Sequence, residues 1–251
     1  MIQYKSSRQI EKIKNAGRVV SEVLDLISEN VRPGVTTGEL DSLTAKFLKS
    51  KNAKSAFLGY QGFPANICAS VDSEVVHGIP GERELLNGQI LSVDFGAIVD
   101  GYYGDSARTF AVGEISDDAE KLLEITEESL YVGIKKCVVD NKLGDLSAAI
   151  QSYVEAEGFS VVRDLVGHGI GRKMHEEPQV PNFGETGTGM ELKEGLVIAI
   201  EPMINAGGFE VRVMDDGWTV VTADGSLSAH FEHTVAITSN GPEILTLSKD
   251  E

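Results

Sequence analysis

The stretch Val93-Asp94-Phe95-Gly96-Ala97-Ile98-Val99-Asp100-Gly101-Tyr102-Tyr103-Gly104-Asp105 puts one aspartate inside an apolar run and another just past a turn. A carboxylate between Val93 and Phe95 is costly to bury unless something pairs with it. Asp100-Gly101 is a strong signal for a two-residue hairpin turn, and such a turn sets Asp94 opposite Ala107. Asp105 has the same parity as Ala107, so both carboxylates occupy one face of the hairpin, diagonally adjacent. Like charges that close repel, and a metal ion or one shared proton resolves the conflict. A solvated pair at a hairpin rim is the alternative. The second half of the chain repeats the theme, with Glu201 in Ile200-Glu201-Pro202-Met203 and Glu232 in Phe231-Glu232-His233-Thr234-Val235-Ala236-Ile237. Of the five histidines, His168 and His175 fall in Gly167-His168-Gly169-Ile170-Gly171-Arg172-Lys173-Met174-His175-Glu176-Glu177-Pro178. With His77 they lie in or beside glycine-bearing turns, where backbone can approach a ligand. Carboxylates with one or two imidazoles and no thiolate suit Mn, Fe, Co or Zn, and shared carboxylates commonly bridge two ions. This is a dinuclear hydrolase pattern.

Other chemistries find less support. There is no Gly-x-Ser-x-Gly elbow and no Walker loop, and the glycines from Gly167 to Gly171 miss the dinucleotide fingerprint spacing. His175-Glu176-Glu177-Pro178 is not a zincin motif, because Gln179 stands where the second histidine belongs. Cys68 is conceivable as a nucleophile, but a small buried apolar role is commoner for an isolated cysteine. Cys68 and Cys137 match no zinc-ribbon or thioredoxin spacing, which suits a reducing compartment. With 22 Lys and Arg against 39 Asp and Glu, the net charge of −17 argues against a groove that tracks nucleic-acid phosphates. The longest purely apolar run, Leu196 to Ile200, is far short of the roughly 18 residues that span a bilayer. Residues 1–20 are interrupted by Lys5, Arg8, Glu11, Lys12, Lys14 and Arg18 and lack the apolar core of a secretory signal. A cytoplasmic location without membrane or nucleic-acid partners is expected.

These side chains need elements to position them. Residues Arg8 to Asn30 repeat apolar positions at helical spacing until Arg32-Pro33-Gly34 breaks the pattern. Thr36 and Glu39 resemble a capping box, and Leu40, Leu43 and Phe47 give the next helix its apolar stripe. Ile67-Cys68-Ala69, Ile90 to Val93 and Thr109 to Val112 read as strands. The order then restarts with a helix from Asp117 to Val139, a turn through Asn141 to Gly144, a helix from Asp145 that Gly158 ends, and strands to the C-terminus. The halves can be aligned: Leu85 to Asp94 matches Leu192 to Glu201, each with Leu, then Gly, then an acid, and His77-Gly78-Ile79 echoes His168-Gly169-Ile170. At 251 residues, 41% of them hydrophobic, the chain can bury a large core without disulfides. The expectation is one α/β domain of the α+β kind over residues 1–251. It would hold two related halves around a shared centre, with a curved, mostly antiparallel sheet covered by helices on one side.

On these residues the sequence resembles the type I methionine aminopeptidases, which have the pita-bread fold. The resemblance runs from about Lys5 to about Leu245 and is carried by Val75-Val76-His77-Gly78-Ile79-Pro80, the Asp94 to Asp105 block, Gly167 through Pro178, Ile200-Glu201-Pro202, and Phe231-Glu232-His233-Thr234. It implies that Asp94, Asp105, His168, Glu201 and Glu232 bind two divalent ions, Co, Mn, Fe or Zn, with Asp105 and Glu232 bridging. It implies further that His77 and His175 hold the substrate and the tetrahedral intermediate while Glu201 shuttles a proton from a metal-bridging water. A methionine pocket would be built from Phe57, Tyr60, Phe63, Cys68, Met174, Met203 and Trp218. Gln61 stands where some members carry His, His230 where Gln is usual, and Met174 where an aromatic is more common. The chain resembles the short bacterial form, starting at the catalytic domain with neither a zinc-finger extension nor the helical insertion of type II enzymes. The implied partners are peptides and nascent chains with N-terminal methionine, with transient ribosome contact, and the implied state is a monomer. An X-Pro peptidase of the same fold and a non-catalytic peptide- or ribosome-binding relative are the rival readings.

Overall fold

Asp100 and Gly101 both take positive φ, 50° and 75°, and the strands on either side pair from Val99↔Tyr102 back to Ile90↔Ala111. In this computed structural model, which describes residues 2–248, that hairpin is the middle of the first half. The first half runs α1 (Ser7–Ser28), α2 (Thr37–Lys51), β1 (Lys54–Ser55), β2 (Cys68–Val71), β3 (Glu74–Val76), β4 (Ile90–Val99) and β5 (Tyr102–Ala111). The second runs α3 (Asp117–Ile134), α4 (Leu143–Ala156), β6 (Ser160–Val161), β7 (Gly167–Gly169), β8 (Glu176–Val180), β9 (Val197–Ile200), β10 (Met203–Asn205), β11 (Val211–Val213), β12 (Val220–Thr222), β13 (Ser228–His230), β14 (Glu232–Thr238) and β15 (Gly241–Ile244). The main sheet has the order β1-β4-β5-β14-β9-β7-β8, so the halves meet where β5 pairs with β14. Every pairing along that path is antiparallel.

The internal repeat is visible in the hydrogen bonds. Thr36 bridges Glu84 in one half and Lys142 bridges Glu191 in the other, and the Leu85 N–H donates to Val35 O as the Leu192 N–H donates to Asn141 O. The aligned glycines Gly88 (φ 93°) and Gly195 (φ 87°) both make left-handed turns, where an L side chain would be strained. The second echo is not structural. β2 pairs with β4 as β7 pairs with β9, and those registers make Ser70, not His77, the counterpart of His168. His77 follows β3, a strand the sequence reading missed because it is only three residues long.

Two large apolar clusters lie under the helices. Val20, Leu24, Ile27, Leu40 and Leu48 pack on Leu91, Val93 and Phe95, while Leu122, Leu130, Leu146, Ile150 and Val154 pack on Ile198, Ile200 and Val235. The buried stripe of α2 is Leu40, Thr44 and Leu48, with Leu43 and Phe47 on its half-buried flanks. α3 stops at Ile134, short of Val139, as the chain tightens and then turns at Asp140 (φ 72°). Asp145 lies in the first turn of α4 and accepts from the Lys142 N–H, so the helix begins two residues earlier than the turn signal suggested. Among the described residues no helix is long and apolar enough to cross a membrane.

Candidate metal centre

The acids converge because they sit on neighbouring strands of the shared centre. Asp94 lies on β4 and Asp105 on β5 at the register the turn dictates, Asp94↔Ala107 and Gly96↔Asp105. Glu232 is paired with Ala107 across the β5–β14 seam, where Thr234 Oγ1 accepts from the Asp105 N–H and donates to Asp105 O. Glu201 follows β9, and His168 on β7 completes the ring, its Nε2 3.7 Å from Asp105 Oδ2 and 3.7 Å from Glu201 Oε1. One ligand atom each from Asp105, His168 and Glu232 lie within 4.8 Å of one another. His168 Nδ1 is 2.9 Å from Gly169 O, so this nitrogen carries the proton and donates it to the carbonyl, which turns the Nε2 lone pair toward the carboxylates.

A pocket opens directly above this cluster. Phe57, Tyr60, Phe63, Cys68, Met174 and Trp218 line it together with His77 and His175, and its floor is Asp94, Asp105, His168, Glu201 and Glu232. Phe63 is the corner of an aromatic wall: its ring meets Trp218 edge-on at 5.1 Å and Phe57 edge-on at 6.5 Å. A Cβ at Gly96 would sit 3.0 Å from Met174 Cε and 3.1 Å from Phe57, so glycine there lets the wall pack against the sheet. His175 stacks edge-on against His168 at 4.3 Å, and its Nδ1 lies 2.7 Å from the Tyr60 hydroxyl. His77 is held at φ 61°, a strained conformation for a side chain of its size and a frequent mark of functional positions. Met203 is the exception among the expected pocket residues. It is buried instead with Val75, Val76, Val162 and Val220, because the chain breaks strand pairing at Glu201-Pro202 and β10 joins a separate small sheet. Gln61, known from sequence only as a departure, does line the pocket, from a turn with Gly59, Gln61 and Gly62 all at positive φ.

The sequence matches metallopeptidase family M24 over residues 11–239. The chain belongs to this family. Its relatives include the methionine aminopeptidase of Clostridium perfringens, 57% identical over 99% of this chain and 100% of the relative, and methionine aminopeptidase 1 of Bacillus subtilis, 51% identical over 98% and 99%. The crystal structure of methionine aminopeptidase from Thermotoga maritima superposes with a TM-score of 0.97 at 46% identity, covering 99% of this chain and 100% of that one. A prolidase from Pyrococcus horikoshii shares the fold at TM-score 0.79 and 22% identity, but this chain covers only 64% of it. The fold is thus the pita-bread fold of M24.

As in a metallopeptidase, the electrostatics of the M24 centre call for cations. Burial, then the charge of Asp105, pushes the Asp94 carboxyl well above its ordinary range, and burial chiefly lifts Asp105 to about 8. Glu201 and Glu232 are raised in the same way by burial and by their acidic neighbours. Asp94 Oδ1, Asp105 Oδ1 and Glu232 Oε1 are buried with no hydrogen-bond partner among the described residues. A buried carboxylate oxygen without a donor needs a proton or a metal. The imidazoles are correspondingly neutral and ready to coordinate or donate: burial lowers His168, and burial with the nearby His168 takes His175 down to about 4. Burial lowers His230 to about 3, and its Nε2 lies 3.9 Å from Glu201 Oε2. An all-oxygen and imidazole donor set with orphaned carboxylate oxygens fits divalent metal.

Proposed function

We propose that this chain removes the N-terminal methionine from peptides and nascent proteins, using two divalent ions held by Asp94, Asp105, His168, Glu201 and Glu232. The observation that carries the reading is the junction of an aromatic and sulfur-lined pocket with the acid cluster, in a chain 57% identical to a protein named methionine aminopeptidase. A thioether suits such a pocket because sulfur packs favourably on aromatic rings and needs no hydrogen bond. Asp105 and Glu232, on adjacent strands, are the acids that two ions would share. When bound, the ions acidify a water and polarise the scissile carbonyl.

The remaining work falls to side chains. Glu201 accepts the water's proton on its carboxylate and returns it to the departing amine. We assign the Tyr60 hydroxyl as the donor to His175 Nδ1, 2.7 Å away, the tautomer that leaves Nε2–H as a donor for the oxygen that becomes negative in the tetrahedral state. Burial, then the charge of His175, depresses His77, so it is a neutral partner for the substrate backbone in the pocket it lines. Cys68 is not a nucleophile in this scheme, since burial raises its thiol well above the ordinary range. We place the enzyme in the cytoplasm and read residues 1–251 as one catalytic domain, active as a monomer.

A metal-reconstituted assay with Met-Ala-Ser, Leu-Ala-Ser and Met-Pro-Ser tests the reading directly. Preferred release of methionine from Met-Ala-Ser is expected. Cleavage only of the proline peptide would favour an X-Pro peptidase, and no cleavage by fully metal-loaded protein would favour a non-catalytic binder. Phe63→Ala probes the pocket: removing the ring that Trp218 and Phe57 pack against should lower kcat/KM for the methionine peptide by about 10- to 100-fold and flatten the Met to Leu ratio, with metal content unchanged. A lower melting temperature with an unaltered ratio would make Phe63 ordinary core.

A further inference from the structure

A buried ion pair joins the first residues of the chain to the loop that carries His175. Lys5 Nζ lies 2.6 Å from Glu176 Oε2, and the two side chains are only 4% and 6% exposed. Glu176 is also the hub of its own loop, since Oε1 accepts the backbone N–H groups of Arg172 at 2.8 Å and Lys173 at 3.1 Å. That loop places Met174 in the pocket wall and His175 against His168. Two glycines leave room for the lysine to reach it. A Cβ at Gly171 would fall 2.6 Å from Lys5 Cε, and one at Gly195 would fall 2.6 Å from Lys5 O. The Lys5 N–H donates to Gly195 O, and Nζ donates a further bond to Gln3 O.

We propose that residues Gln3 to Lys5 are a strap, and that Lys5 and Glu176 are positioning residues which hold the His175 imidazole over the acid cluster. A desolvated charge pair is a poor device for stability, since an apolar pair of the same volume does as well or better, but it fixes one geometry because each partner left alone is heavily penalised. Here the geometry fixed is the loop, because one carboxylate ties the lysine and two backbone amides together. Losing the ammonium leaves Glu176 to seek water, and the turn from Gly171 to Glu176 opens with it.

The proposal deepens the reading of His175 as a substrate-contacting group, and its test includes a readout that does not depend on that reading. In full-length protein labelled with 15N-histidine and loaded with Zn2+, Lys5→Met should displace the His175 ring resonances while those of His230 and His233 stay in place. In the peptide assay kcat should fall by about 10- to 100-fold with KM and metal content little changed, as expected when a reacting group is misplaced by an ångström. The paired variant Lys5→Met/Glu176→Gln removes both charges of the pair and the tie between strap and loop, and serves if the single one does not fold; it should displace the same resonances, by less because no unpaired carboxylate is left. Unmoved His175 resonances in either folded variant, or a lowered melting temperature with kcat intact, would overturn the strap. If the wild-type protein cleaves no peptide, the spectra still decide the strap while the functional reading fails separately.

Discussion

Replacing Glu201 by Gln is expected to abolish turnover, with a loss of roughly 10³-fold or more in kcat. An amide cannot take the proton of an attacking water, and its neutral oxygen is a weaker ligand. The fold should survive, and the metal-free variant should gain stability, because burial and the charges of Asp94 and Asp105 already raise the Glu201 carboxyl well above its ordinary range. Gln removes a group that cannot comfortably ionise there. His168 Nε2, 3.7 Å from Glu201 Oε1, presents its lone pair to the amide N–H of a glutamine placed there. Steady-state kinetics, elemental analysis and thermal melting together separate the roles. Near wild-type kcat at full metal loading would remove Glu201 from the chemistry, whereas an inactive, metal-poor protein that reaches full kcat at high metal would leave it a ligand only.

The site was legible in sequence where it depends on strand parity and turn chemistry. Asp100-Gly101 sets the hairpin register with no help from the rest of the fold, and Asp105 follows from it by alternation. The repeat was legible where the same turn geometry recurs, at Gly88 and Gly195. What depends on long-range pairing was not. Nothing local shows that β5 and β14 form the seam, nor that Ser70 rather than His77 is the counterpart of His168, because those facts belong to strand order. Met203 entered the expected pocket through the family resemblance alone, and its packing with Val75, Val76, Val162 and Val220 depends on the path of the chain after Glu201, which no local pattern shows. The link between Lys5 and Glu176, far apart in the chain, had no sequence signal at all, since a lysine in an N-terminal segment and a glutamate in a glycine-rich loop both read as solvated charges.

Asp105→Asn should push metal binding and stability in opposite directions. Burial raises the folded-state Asp105 carboxyl to about 8 from an ordinary value near 3.8, so its contribution to stability is fully present below about pH 4 and is lost as pH climbs through about 8. The histidines have the opposite sign. Burial holds His230 and His233 near 3 and helps hold His175 near 4, so they favour the fold above about 6.5 and cost it stability only on acidification. Between about pH 7 and 9 the carboxyls therefore dominate, and the melting temperature of metal-free protein should fall with rising pH. Divalent metal should reverse that slope, because cations bind the deprotonated oxygens and hold tighter as the competing protons leave. Asn at 105 removes one charge from the cluster and offers its amide to Asp94 Oδ1, which has no partner among the described residues. The metal-free variant should consequently melt higher than wild type at pH 8 to 9, yet retain less metal after dialysis and turn over far more slowly. Unchanged metal content by elemental analysis, with no gain in the metal-free melting temperature, would mean that Asp105 is a buried acid that takes no part in holding metal. A site kept for function rather than stability has the opposite signature, in which the substitution that steadies the empty protein ruins the loaded one.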